Sequence, residues 1–151
     1  MELIEAIKSR HSVRKYADKP IEVSKLATLR LAIEEANAES GLNIQLVVNE
    51  PKAFGSKLHT YGTFSGVRNY LVMAAPKGRE WEEKVGYYGE KIVILAPTAV
   101  NQQKFKFILR DGNKVETKTF ASLWGYTQID LGIVKYHFEI GAGKEKFQWR
   151  Q

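Results

Sequence analysis

Arg10-His11-Ser12-Val13-Arg14-Lys15-Tyr16 sets two guanidinium groups, an imidazole, an ammonium and a small hydroxyl within one short run. Cations gathered where a helix ends complement the negative end of its dipole, so by itself the cluster reads as a solvated helix terminus.

Outward from this run, Leu3, Ile4 and Ile7 share one face of a first helix that ends near Arg10. Ala17-Asp18-Lys19-Pro20 breaks the pattern, and Ser24 is placed to cap a second helix carrying Leu26, Leu29, Ile33 and Ala36 on one side, with Gly41 closing it. Residues 43–49 alternate as a strand up to Pro51. Glycines at 55, 62 and 66 mark a loop. The apolar run Tyr70 to Ala75 reads as a strand covered on both faces. From Glu80 the spacing of Trp81, Val85, Tyr88, Ile92 and Leu95 is helical until Pro97.

Lys104 to Arg110 alternates Phe105, Phe107 and Leu109 with basic residues, and Asp111-Gly112-Asn113 turns the chain into a partner strand, Lys114 to Phe120. Asp130 is placed to cap a last helix running from Leu131 to about Gly141. Phe147 and Trp149 alternate with polar residues in the tail, as in an edge strand or arm. His137, set between Tyr136 and Phe138, reads as a satisfied core or interface histidine.

With 151 residues the chain has one domain's worth of sequence, and 44% hydrophobic with 26% charged residues is ordinary for a globular protein. No apolar run reaches the length of a membrane span, and Glu2 and Glu5 interrupt any secretory leader, so the expectation is a cytoplasmic protein with no membrane partner. The absence of cysteine excludes disulfides, thiolate metal sites and thiol nucleophiles, and the three histidines show no metal-ligand spacing. A net charge of +6 favours anionic ligands. Because the lysines and arginines form no block, nucleic acid is not expected.

The run Ile7 to Tyr16 resembles the N-terminal signature of the nitroreductase family, flavin enzymes whose Arg-(Arg/His)-Ser-x-Arg segment holds the FMN phosphate. A second stretch, Leu95-Ala96-Pro97-Thr98-Ala99-Val100-Asn101-Gln102-Gln103-Lys104-Phe105, resembles the family's Ala-Pro-(Ser/Thr)-x-x-Asn-x-Gln-Pro-(Trp/Phe) signature, with Lys104 in place of the usual proline. Gly86 to Val93 and Ile129 to Glu139 resemble the same branch. The resemblance implies an α+β fold, a nitroreductase-like mixed sheet with flanking helices, in a single domain over 1–151. It is shortened: the branch normally inserts a Gly-x-Gly-Thr-Cys-Trp strand and further residues where Lys91-Ile92-Val93 here runs straight into Ile94-Leu95-Ala96-Pro97. Either an internal deletion lies near 93–95, or two pieces of chain are joined across a missing stretch. True continuity makes 81–96 one helix ending at Pro97.

The function implied is an FMN-binding oxidoreductase of nitroreductase type. It would pass electrons from NAD(P)H through the flavin to a small-molecule acceptor, a nitroaromatic or quinone-like compound. Arg10 and Arg14 would hold the phosphate, His11 and Ser12 the ribityl region, and Thr98, Asn101 and Gln103, on a turn stiffened by Pro97, the ring. Because the cofactor carries the chemistry, no catalytic side chain and no metal are expected. The family's interfacial flavin implies a homodimer. The alternative is an inert flavin-binding or structural remnant of the same fold.

Overall fold

The computed structural model describes residues 3–9, 13–17, 19–54, 63–92, 105–120 and 126–150, which form an α+β chain of two compact units, residues 11–74 and residues 1–10 with 75–151.

In the first of these units, α2 (Val23–Ser40) leads into β1 (Asn43–Val47), which pairs antiparallel with β2 (Tyr70–Ala74); α1 (Leu3–Ser9) belongs to the other unit. The expected apolar stripe of α2 is the one that faces inward: Ile33 and Ala36 are buried and Leu26 and Leu29 half-buried. Gly41 ends the helix in the left-handed region at φ 74°, its N–H donating to Asn37 O. Asn37 then clamps the strand. Its amide donates to Ile44 O at 3.0 Å and accepts from Ile44 N–H at 2.7 Å, so Ile44 is 2% exposed and in fixed register with the helix.

Two expectations fail here. Ser24 does not cap α2; Glu22 occupies that position without a side-chain cap bond, and the Ser24 carbonyl accepts from Thr28 Oγ1 inside the helix. Nor is β2 covered on both faces. Ile44, Leu46, Leu71 and Met73 share one side of the pair, while Val72, 43% exposed, lies on the other. A ribbon of two strands with its helix docked at Ile44 has one inner face, so a continuous apolar run need not mean a sandwiched strand. Strand β1 also stops short of Asn49, which takes a left-handed φ of 59°.

In the second unit, α3 (Arg79–Ile92) and α4 (Tyr126–Ala142) pack on each other, and β3 (Phe105–Arg110), β4 (Lys114–Thr119) and β5 (Gln148–Arg150) form one mixed sheet in the order β3-β4-β5. The expected hairpin is present. Gly112 and Asn113 turn it with positive φ values of 70° and 56°, and Arg110 faces Lys114 at its end. The tail docks as the expected edge strand, parallel to β4, which requires the crossover that α4 supplies. Phe107, Phe138, Phe147 and Trp149 interlock beneath the sheet with ring centroids 4.9–5.8 Å apart.

The last helix begins at Tyr126, ahead of Asp130, which is 1% exposed within it and is no cap. Burial decided this, because Thr127 also faces the core and extends the inward stripe by a turn. Glycine sets how closely the helices approach. A Cβ on Gly86 would lie 1.9 Å from Ile129 O, and one on Gly132 would lie 2.0 Å from Glu83 O, so each backbone rests where the other's side chain would be. The described part of α3 ends at Ile92; the expected continuation to Ala96 lies outside the described residues. No described helix is long and apolar enough to cross a membrane.

Candidate functional site

Of the residues expected to hold a flavin, Arg10, His11, Ser12, Pro97, Thr98, Asn101 and Gln103 lie outside the described residues. Arg14 is described, and its setting is specific. Ser65 N–H donates to Arg14 O at 3.0 Å and Tyr16 N–H donates to Ser65 O at 2.9 Å, closing a parallel bridge between Lys15 and Ser65. The strap needs glycine beside it. Gly66 sits at φ 73°, and a Cβ there would lie 2.3 Å from Tyr16 O.

Aromatic rings extend the support below Arg14. Its guanidinium carbon lies 5.8 Å from the centroid of the Phe64 ring; Phe64 meets Phe54 edge to face at 5.8 Å, and Phe54 meets Tyr70, the first residue of β2, at 5.2 Å. A chain of rings thus ties the exposed cation to the sheet. No carboxylate among the described residues pairs with Arg14, so its donors are available to an anion. The sequence marks Gly66 only as a loop glycine and gives no role to Phe54. The signal available for Gly66 was its place in the Phe64-Ser65-Gly66 loop, and a loop glycine does not announce which segment passes it.

The same unit contains a cleft of about 430 Å³ whose lining includes Lys19, Ile21, Leu26, Val48, Asn49 and Arg68. Arg68 Nη2 donates to Asn49 Oδ1 at 2.7 Å, and Asn49 N–H donates to Asn69 Oδ1 at 3.0 Å, so the polar rim is held in place over an apolar floor.

In the other unit the ionisable groups are structural. Glu90 is 1% exposed and its Oε1 lies 2.6 Å from His137 Nε2, which makes His137 the satisfied histidine its apolar neighbours implied; Glu90 Oε2 has no partner among the described residues. Glu139 accepts from Tyr87 Oη at 2.6 Å and from Trp149 Nε1 at 2.8 Å, and Lys135 pairs with Glu83. Burial and the Glu139 carboxylate push the Tyr87 hydroxyl well above the ordinary tyrosine range, and burial also raises Tyr136. No group of three acidic, histidine or cysteine side chains able to hold a metal occurs among the described residues.

Compared with protein families, the chain matches the one described as "Putative TM nitroreductase" in two pieces, residues 2–96 and 93–142. The chain belongs to this nitroreductase family. Nothing among curated proteins or solved structures matches it. Along this member of the family the strapped Arg14 falls in the first matched piece and the α3–α4 helix pair spans both, while β5 lies beyond the second.

Proposed function

We propose that this nitroreductase-family chain is an FMN-binding oxidoreductase that takes electrons from NAD(P)H and delivers them to a small nitroaromatic or quinone-like acceptor. The family match carries the reading, and the setting of Arg14 supports it: an exposed guanidinium with no carboxylate partner among the described residues, fixed on an aromatic base by the Ser65 strap. That chemistry suits a phosphate. Arg10 would share the phosphate with Arg14, Ser12 and His11 would face the ribityl chain, and Thr98, Asn101 and Gln103 on the Pro97 turn would bond the ring. When bound, FMN supplies the capacity to accept hydride and release electrons to the acceptor. The protein's part is to hold the phosphate, orient the ring and limit access of water. A homodimer completing the site and a cytoplasmic setting belong to the same proposal.

A second reading is an inert flavin-binding or structural remnant, and one observation favours keeping it. The family match divides at 93–96, where Lys91-Ile92-Val93 runs straight into Ile94-Leu95-Ala96-Pro97, as an internal deletion in a single-domain chain would leave it. Purified protein tests both. Yellow protein that oxidises NADH or NADPH with a nitroaromatic or quinone supports the enzyme, yellow protein without turnover supports the flavin-binding remnant, and protein that takes up no added FMN overturns the enzyme and leaves the structural remnant. Arg14→Ala should weaken FMN binding by roughly ten- to a hundredfold, the usual cost of about 1.5–3 kcal/mol for one charge-assisted bond. Unchanged affinity in the folded variant would return the basic cluster to a solvated helix end.

A further inference from the structure

Strand pairing assigns every residue of the three-stranded sheet to one of two faces. Phe107, Val115 and Trp149 share the face that meets Phe138 of α4. The opposite face carries Lys106, Ile108 and Arg110 from β3, Lys114, Glu116 and Lys118 from β4, and Gln148 and Arg150 from β5. All five of its cations are exposed, and Glu116 is its single carboxylate. The charges are also set against each other: Lys106 faces Lys118 and Arg110 faces Lys114 directly across the hairpin, an arrangement that costs stability in a free ribbon. Glu116 relieves part of this by accepting from Arg110 Nε at 2.9 Å and approaching Lys118 at 3.5 Å. Lys106, Lys114 and Arg150 have no carboxylate partner among the described residues.

The turn end of this face opens into a cleft of about 710 Å³ lined by Arg110, Asp111, Lys114, Gln148, Trp149 and Arg150. At the opposite, open end of the hairpin Phe120, 52% exposed, presents a ring with Lys106 Nζ 5.7 Å from the centroid. We propose that this outward sheet face binds the sugar-phosphate backbone of a single nucleic-acid strand, with Lys106, Lys114, Lys118 and Arg150 against phosphates and Phe120 as a stacking surface for a base. Unmatched cations on a strand lattice of about 4.8 by 7 Å, beside one exposed ring, are the elements of sequence-tolerant single-strand binding. An anionic membrane fits less well, because among the described residues the face offers only the single ring of Phe120 and the half-buried Ile108, and interfacial binding draws on a broad set of inserted apolar groups. This inference reaches beyond the oxidoreductase reading and uses none of the residues assigned to the flavin.

Fluorescence anisotropy of the purified full chain with a labelled 20-nucleotide single-stranded DNA tests it. Four phosphate contacts predict that log K falls with log salt at a slope of about −3, roughly −0.7 per contact. The variant Lys106→Glu/Lys114→Glu should lose at least tenfold in affinity at 50 mM salt and about half the slope, with Lys106→Ala/Lys114→Ala changing in the same direction if the double reversal does not fold. Lys52→Glu, an exposed change in the other unit, should stay within twofold of wild type. No binding at 20 mM salt, equal loss in Lys52→Glu, or an affinity untouched by either double variant would overturn the proposal. So would binding to phosphatidylserine vesicles with none to DNA, which would make the face a membrane contact.

Discussion

The α3–α4 pair and the Arg14 strap both depend on a glycine that lets two backbones touch, yet they are built to different ends. In the helix pair the touch is reciprocal, Gly86 against Ile129 and Gly132 against Glu83, and the closed interface surrounds Glu90, Asp130 and Glu139. At the strap a single glycine, Gly66, meets Tyr16, and the segment it holds is exposed on both sides of the bridge. One contact seals polar groups away from water. The other presents a cation to it. The same device therefore gives rigidity in one place and accessibility in the other, and what differs is how much surface closes around it.

The largest expected effect comes from breaking the helix contact. Gly132→Ala must push apart backbones that cannot yield as a side chain would, so unfolding in urea should show a loss of about 3 kcal/mol or more; a loss below about 1 kcal/mol would mean the helices do not pack this closely. Next in size is His137→Ala, which strands the buried Glu90 carboxylate and should cost about 2–4 kcal/mol, with Glu90→Gln/His137→Ala recovering part of it because the uncompensated charge is gone. Equal losses in the single and double variants would show that the pair is not coupled.

Gly66→Ala sharpens the contrast. It combines a strained φ with a backbone clash, but the surrounding strap is exposed and can open, so about 1–2 kcal/mol is expected. The more telling readout is hydrogen exchange, which should accelerate at Tyr16 and Ser65 while the α3–α4 amides stay protected; uniform acceleration would mean the strap is part of the global core.

The smallest effect is a pH dependence. Tyr87→Phe removes the hydroxyl that donates to Glu139 and should cost about 1 kcal/mol at pH 7, a modest figure for a half-buried group. The folded state holds this hydroxyl protonated beyond its unfolded value of 10. Its stabilising contribution is therefore intact below pH 10 and shrinks as pH rises through the folded value, so wild type and Tyr87→Phe should converge in strongly alkaline solution. Parallel pH curves would show that the bond to Glu139 does not govern the titration.

Local patterns were legible where local physics suffices. The alternation of Phe105 to Arg110 around Asp111-Gly112-Asn113 specified a hairpin, the stripe of Leu26, Leu29, Ile33 and Ala36 specified the inner side of α2, and Gly41 specified its end. The two family signatures led to the family because they are short, contiguous motifs. Capping was misread at Ser24 and Asp130, since both residues suit a cap but also tolerate a helix interior, and the start of a helix is decided by what it packs on. The run Tyr70 to Ala75 was misread as doubly covered because apolar composition states what a strand can bury, not how many layers surround it.

By itself, then, the sequence determined the identity of the helices and strands, the hairpin register and the membership of the nitroreductase family, because each rests on residues within a few positions of one another. Tertiary structure alone decided three things. Gly86 and Gly132, 46 residues apart in sequence, became one contact. Arg14 came to rest on Phe64 and, through Phe54, on Tyr70. Lysines and arginines that form no block along the chain were gathered on one side of a sheet, because pairing aligns alternate residues from three strands and a period of two sends every second side chain to the same face.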